Sequence, residues 1–300
     1  MTFACVVVLH ESAEDITRLL ASVDAHLPAR PHIVCVDTGS HDDGAVRAEA
    51  WGAEVLRLDA NPGFGAANNA GLARVRADVT VLLNPDCELR DDGLARLAAL
   101  AAGRDALLAP RLRNGDGSVQ RSAHPAPGGL DALLPAAVHP RVLPRLLRER
   151  FDPWRAETPR RVGWAIAACV AARTSLLRRL GPFDPSLFLF AEDLDLCLRA
   201  AAAGAPTELH PEIEVIHHGG TSTTAAYGGE PFEEIAAQRR RVIGDRLGPA
   251  ALARDDAAQT LTFATRVAAR RVLRRDADRE RAQLRAARSA SRGAGRRQPS

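Results

Sequence analysis

The sequence predicts an α/β fold built on a doubly wound, mostly parallel sheet, and three observations predict it. Strand-like and helix-like segments alternate through residues 4–109. The strand-like runs are apolar throughout, as strands covered by helices on both faces must be. Two carboxylates, Asp37 and Asp86, stand where such runs end, at the edge where open α/β sheets hold their ligands.

Residues 4–9 form the first apolar run and a first strand. Ser12 is placed to cap the following helix, in which Ile16, Leu19, Leu20, Val23 and Leu27 recur at helical spacing. Further strands are expected at 33–36, 53–58, 79–83 and 106–109, with helices at 45–51, 65–74 and 93–102. Residues 124–160 differ. Pro125, Pro127, Pro135, Pro140, Pro144, Pro153 and Pro159 are mixed with Leu133, Leu134, Val142, Leu143, Leu146 and Leu147, which reads as an insertion with short amphipathic helices, mobile without ligand. Core character returns at Gly163, a strand is expected at 213–216, and from about Arg239 the chain turns helical and basic. The expected organisation is a domain over 1–245, made of a first half (1–110), the insertion (124–160) and a second half (163–245), followed by a tail over 246–300.

At 300 residues and 46% hydrophobic, the chain can bury a real core. All 40 of its cationic residues are arginine, which together with the alanine excess reads as codon bias of a GC-rich genome. Cys5, Cys35, Cys87, Cys169 and Cys197 are scattered without metal-type pairing and suit a reducing cytoplasm. Residues 3–9 lack the basic start and the length of a signal peptide, and no stretch reaches the ~18 apolar residues of a membrane span. The expected location is cytoplasmic, with attachment to the inner face of a membrane as an addition. From Arg266 to Arg297 there are twelve arginines against Asp276, Asp278 and Glu280, a net of +9 in a chain of +3. The positive field therefore belongs to the tail.

The chemistry concentrates in the run from Phe190 to Arg199, where Glu192, Asp193 and Asp195 stand among apolar residues at a helix start. On a helix, 192 and 195 share a face and 193 points elsewhere. Helix-dipole complementarity, and an i,i+4 pair between Asp195 and Arg199, account for one or two of these charges but not for three. His217 and His218 follow a strand and point to opposite faces of it. Asp86 ends the strand at 79–83 within Asn84-Pro85-Asp86, and Asp37 precedes Thr38-Gly39-Ser40, where an Asx-turn competes with a ligand contact. Asn61-Pro62-Gly63-Phe64-Gly65 with Asn68 lacks the third glycine of a dinucleotide fingerprint. Three remote elements thus offer a base and two metal ligands.

In this order, Val36-Asp37-Thr38-Gly39-Ser40, Asn61 to Gly65 with Asn68-Asn69, Asn84-Pro85-Asp86, Gly181-Pro182-Phe183-Asp184, Glu192-Asp193-Leu194-Asp195 and His217-His218 resemble the motifs of family 2 inverting glycosyltransferases. The resemblance covers roughly residues 3–245. It is strongest to the rhamnosyltransferases of cell-wall and polysaccharide assembly, through Pro110-Arg111-Leu112, Asp116-Gly117-Ser118-Val119, Arg161-Val162-Gly163-Trp164 and residues 214–222. It implies a GT-A fold whose first half binds the nucleotide and whose second half binds the acceptor. It also implies a single displacement at a nucleotide-diphosphate sugar, dTDP-rhamnose being favoured, with a polysaccharide or lipid-linked glycan acceptor and Mg²⁺ or Mn²⁺ as cofactor. By the family pattern Asp193 takes the acceptor proton, while Glu192 and Asp195 orient the acceptor or hold the loop. Asp86 and His217 hold the metal, with His218 as the alternative. His10, Glu11, Asp37, Gly65, Asn68, Asn84, Asp86 and Trp164 are expected to line the nucleotide-sugar site, and the loop from Gly219 to Thr224 offers backbone N–H groups that could close over the diphosphate. Two departures stand out: Asn84 replaces the first aspartate of the Asp-x-Asp element, and Glu11 replaces an asparagine.

Other function classes fit only parts of the chain. A nucleotidyltransferase needs a glycine-rich basic loop after the first strand, where Leu9-His10-Glu11-Ser12 stands instead. A protein that binds nucleotide sugar without turnover is the alternative on the catalytic side. The arginine-rich tail suits an anionic membrane surface, with Val267, Val272, Leu273 and Leu284 as a modest apolar face, or a solvated segment. It lacks interleaved aromatics, and Tyr227 lies outside it, so no nucleic-acid partner is expected.

Overall fold

The computed structural model describes residues 1–129, 133, 136, 143–181, 183–219 and 230–293. Expectations for Leu134, Pro135, Pro140, Val142, Pro182, Tyr227 and the loop beyond Gly219 lie outside these residues. The chain forms two compact units, one within 1–124 and 154–228, the other within 125–153 and 229–300. This partition differs from the boundary expected at 245, and it divides the 124–160 insertion between the units.

In the first unit, strands β1 (Phe3–Leu9), β2 (His32–Asp37), β3 (Glu54–Arg57) and β4 (Val79–Leu83) alternate with helices α1 (Ala13–His26), α2 (Gly44–Trp51) and α3 (Phe64–Arg74). Then follow β5 (Cys87–Leu89), α4 (Gly93–Ala102), β6 (Leu107–Arg113) and β7 (Ala123–His124). The sheet runs β3-β2-β1-β4-β10-β6-β11-β5, where β10 is Cys169–Arg173 and β11 is Thr207–His217; β8 (Arg160–Val162) pairs with β11. Strands β1, β2, β3, β4, β6 and β11 point one way, while β5, β8 and β10 oppose them. The sheet is mostly parallel, as expected, with antiparallel β10 between β4 and β6.

The apolar run of β1 shows why both faces are covered. Cys5, Val7 and Leu9 enter one core with Ile16, Leu19, Leu94 and Leu97, whereas Ala4 and Val6 enter the other with Leu72, Leu176 and Leu196. The period of two sends alternate residues to opposite layers. Helices α6 (Thr174–Leu180) and α7 (Glu192–Ala202) complete the second layer. All five cysteines are free and buried, and burial pushes their thiols up, so they behave as small apolar residues. Ser12 does not cap α1. Its hydroxyl accepts the His10 N–H (3.2 Å), and the first N–H of the helix, on Ala13, donates to Asp42 at 2.7 Å. A loop carboxylate satisfies the helix end instead.

The second unit contains α5 (Arg145–Phe151), α8 (Phe232–Val272) and α9 (Asp278–Gly293). Gly248 (φ 80°, ψ 174°) breaks α8 where Pro249 would remove a helical hydrogen bond. Across the break, Arg239 pairs with Asp255 at 2.7 Å and Arg240 with Asp256. Arg270 pairs with Glu280 at 2.7 Å, which ties α8 to α9. Among the described residues, no helix is long and apolar enough to cross a membrane.

Candidate active site

The carboxyl ends of β1, β2, β4 and β11 share one edge of the sheet, so His10 after β1, Asp37 of β2, Asn84 and Asp86 after β4, and His217 of β11 arrive there together. The most specific juxtaposition comes from β5, which turns back after β4 and pairs antiparallel with β11, placing His217 opposite Cys87. Asp86 immediately precedes Cys87. Its Oδ1 lies 3.3 Å from His217 Nε2, and its Oδ2 accepts the Gly219 N–H at 2.9 Å. Asn84 Nδ2 lies 3.4 Å from the same Nε2. His218 is turned away and meets Glu88 at 2.8 Å, as opposite strand faces require.

Two buried oxygens in this corner, Asp86 Oδ1 and Asn84 Oδ1, have no hydrogen-bond partner. Buried acceptors without donors are costly. Burial by itself would raise the Asp86 pKa, but the adjacent His217 imidazole and the Gly219 N–H hold it below the ordinary carboxylate range. An anionic oxygen, an imidazole nitrogen and an amide oxygen are donors that Mg²⁺ or Mn²⁺ accepts, and such ions need few protein ligands when phosphate and water complete the shell. Among the described residues, no group of three His, Cys, Asp or Glu side chains surrounds a metal position. The corner fits a cation shared with a phosphate rather than one held by protein alone.

Sequence reasoning did not single out Gln120, whose Oε1 meets His217 Nδ1 at 2.9 Å. The signal was present only as the turn at Asp116-Gly117-Ser118, which folds residue 120 back toward β6: its N–H donates to Leu112 O at 2.8 Å.

Helix α7 begins from two residues with left-handed backbone, Phe190 (φ 71°) and Ala191 (φ 66°), each strained by about 1–2 kcal/mol for lack of glycine. Its three carboxylates have three fates. Asp195, 1% exposed, pairs with Arg199 at 2.7 Å, and Arg199 also donates to Leu180 O at 2.6 Å, locking α7 to the end of α6. Glu192, 7% exposed, has an unbonded Oε2, and burial followed by the charge of Asp193 pushes its pKa up to about 8. Asp193 alone of the three is not buried, and its Oδ1 accepts the Leu194 N–H at 2.7 Å.

The remaining motif residues are engaged within the protein. Thr38 gives its hydroxyl proton to Leu9 O (2.9 Å), so it accepts from His10 Nδ1 at 3.1 Å. Glu11 (φ 48°) accepts both the backbone N–H and Nδ1 of His41 at 2.9 Å. Asp37 accepts the N–H of Ser40, three residues on, at 3.3 Å, rather than closing the i,i+2 bond of an Asx-turn. A Cβ on Gly65 would stand 2.8 Å from Phe183 Cβ, so glycine there permits close packing. Asn68 is buried and donates to Phe64 O (3.0 Å), while Asn69 clamps Phe183 through its N–H and carbonyl at 2.7 and 2.8 Å. Trp164, in β9 (Trp164–Ala165), stacks on His124 with ring centroids 4.1 Å apart.

The family model described as Glycosyl transferase family 2 matches residues 4–179. The N-acetylglucosaminyl-diphospho-decaprenol L-rhamnosyltransferase of Mycobacterium tuberculosis is 30% identical over 257 residues, covering 78% of this chain and 80% of that protein. The mannosyltransferase PcManGT from Pyrobaculum calidifontis, solved with GDP-Man and Mn²⁺, superposes with a TM-score of 0.59 at 14% identity, covering 99% of this chain and 76% of that one. GalNAc-T7, solved with UDP, GalNAc and Mn²⁺, gives a TM-score of 0.57 at 20% identity over 81% of this chain and 48% of that one. Both share the GT-A fold with this chain.

Proposed function

The chain belongs to glycosyl transferase family 2, and from that premise we propose that it transfers rhamnose from dTDP-rhamnose, by inversion, to a hydroxyl of a lipid-linked glycan. The observation that carries the donor side is the convergence of Asp86 Oδ1, Asn84 and His217 Nε2 within 3.3–3.4 Å at the carboxyl edge of the sheet, with two buried oxygens lacking donors. These residues would hold Mg²⁺ or Mn²⁺, which supplies a sink for the charge of the departing diphosphate. The Mn²⁺ in two structural neighbours and the rhamnosyl transfer to a diphospho-decaprenol lipid in the name of the mycobacterial relative support this reading.

On the acceptor side, exposure favours Asp193 as the base. The bond from the acceptor oxygen to the anomeric carbon forms as the bond from that carbon to the diphosphate breaks. The electron pair leaves with the diphosphate, and the hydroxyl proton passes to the Asp193 carboxylate. Glu192, whose pKa burial pushes up to about 8, is the poorer proton acceptor of the two near neutral pH. Asp195 holds the loop through Arg199 rather than meeting the acceptor.

The second unit suits an acceptor at a bilayer. Val272, the last residue of α8, and its C-cap Leu273, 82% and 62% exposed, lead into the connection to α9, with Arg270-Arg271 before them and Arg274-Arg275 after. An apolar tip in a cationic collar fits anionic headgroups, which attract each arginine by about 1 kcal/mol near the surface.

Calorimetric titration of dTDP with and without Mn²⁺ tests the donor site. Asp86→Ala and His217→Ala are expected to abolish Mn²⁺-dependent binding, and His218→Ala to retain it. Silent His217→Ala with damaging His218→Ala would overturn the ligand assignment, and a product with retained anomeric configuration would discard the single displacement. Sedimentation with anionic vesicles tests the tip, where Val272→Asp with Leu273→Asp should release the protein.

A further inference from the structure

We infer that Gln120 is a positioning residue for His217, held in one orientation by a hydrogen-bond relay that begins at Asp116. The inference rests on the metal-ligand reading of His217 and adds what sets its geometry.

The relay has only one consistent direction. Asp116 Oδ1 accepts from the Ser118 N–H at 2.9 Å and from the Ser118 hydroxyl at 2.6 Å. Those contacts hold Asp116 below the ordinary carboxylate range, so it acts as an acceptor only. The single hydroxyl proton of Ser118 is thereby committed, and its oxygen accepts from Asn114 Nδ2 at 2.8 Å. With its NH₂ turned to Ser118, Asn114 presents Oδ1 to Gln120 Nε2 at 3.0 Å. Gln120 then has only Oε1 left for His217 Nδ1, at 2.9 Å. A carbonyl oxygen cannot donate, so Nδ1 must carry the proton, and Nε2 is the nitrogen presented to Asp86 Oδ1.

The turn that carries the relay is fixed independently. Asn114 N–H donates to Ser118 O and Gly117 N–H to Asn114 O, both at 2.9 Å, and Gly117 takes φ 81°. Arg113 binds Glu214 of β11 through two bonds of 2.6 Å. The turn on β6 is therefore braced against the strand that bears His217. Partners of this kind, which hold the second nitrogen of a ligating histidine, typically govern metal affinity by 10–100-fold.

The decisive measurements are the ¹⁵N spectrum of His217 in the metal-free protein and calorimetric binding of Mn²⁺ with dTDP. The wild type should show a proton on Nδ1. Gln120→Leu should lose that preference and weaken Mn²⁺-dependent dTDP binding by about 10–100-fold, with kcat/KM falling alike. Gln120→Glu keeps an acceptor for Nδ1–H, and should stay within about threefold of the wild type, a rescue that a packing role would not give. Asn114→Ala, at a half-exposed position, leaves Gln120 in place but lets its amide flip, and should give a smaller loss. A His217 proton on Nε2 alone in the wild type, or unchanged binding in both Gln120→Leu and Asn114→Ala, would overturn the relay. Wild-type protein that shows the Nδ1 proton yet binds dTDP without regard to Mn²⁺ would support the relay and remove the metal reading beneath it.

Discussion

Two regions of the same sheet edge treat their polar residues in opposite ways. At the β1, β2 and α3 corner, His10, Glu11, Asp37, Asn68 and Asn69 all find partners within the protein. On the β4, β11 and α7 side, Asn84 Oδ1, Asp86 Oδ1 and Glu192 Oε2 are buried without one. Since native proteins rarely leave buried polar atoms unpaired, the second region keeps acceptors open to an incoming group, whereas the polar groups of the first already have partners in the protein. Motif membership alone does not separate the two; hydrogen-bond accounting does.

The largest expected effect tests the second region. Asp193→Asn preserves shape and removes the proton acceptor, so turnover should fall by about 10²–10⁴-fold with dTDP affinity intact. Steady-state kinetics and calorimetry on the same variant check it. An equal loss of turnover in Glu192→Gln would break the distinction between the half-buried and the buried carboxylate.

Glu192 gives a stability test with a defined sign. Its folded pKa of about 8 lies above the ordinary 4.5, so its contribution is fully present below about pH 4.5 and is lost as pH rises toward 8. Replacing it by Gln removes that slope. The Tm of Glu192→Gln should therefore gain on the wild type as pH is raised from 5 to 8, and parallel Tm profiles would show that Glu192 is not held protonated.

How much of this could be read beforehand follows from the same physics. Strands β1, β2, β4 and the helices between them were legible, because apolar runs and helical spacing are local. The direction of β10 was not: Cys169–Arg173 is as apolar as a parallel strand, and periodicity carries no sense of direction. Strand β11 runs over Thr207–His217, longer than the 213–216 expected, and contains Pro211, which cannot donate to a ladder. The chain accommodates it where the pairing with β6 shifts register between His210 and Glu214. Asp86 and His217 could be nominated from their strand ends, yet Gln120 could not, since nothing in a polar turn residue says which histidine it will face.

At the first region the expected effects are smaller and fall on stability. Gly65→Ala would drive a Cβ to 2.8 Å from Phe183. Overpacking of this sort costs about 1–3 kcal/mol, so Tm should drop by several degrees. If Gly65 serves packing, dTDP affinity should persist in the folded fraction. A loss of affinity without a loss of stability would reassign this glycine to the nucleotide.

The smallest effect is expected at Glu11, where two terms oppose each other. The backbone there has φ 48°, a region asparagine enters more readily than glutamate, so Glu11→Asn relieves strain. The same change removes the contacts to His41, which lie at the surface with the His41 side chain 93% exposed, and such pairs are worth about 0–1 kcal/mol. The two terms nearly cancel, and Tm should move by no more than a few degrees. Nucleotide affinity is the sharper reading. The Glu11 carboxylate is spent on bridging the β1 and β2 loops, so dTDP binding should remain within about twofold of the wild type. If asparagine instead tightened dTDP binding severalfold with Tm unchanged, position 11 would belong with the ligand-facing residues, and the division between the two corners would have to be redrawn through β1.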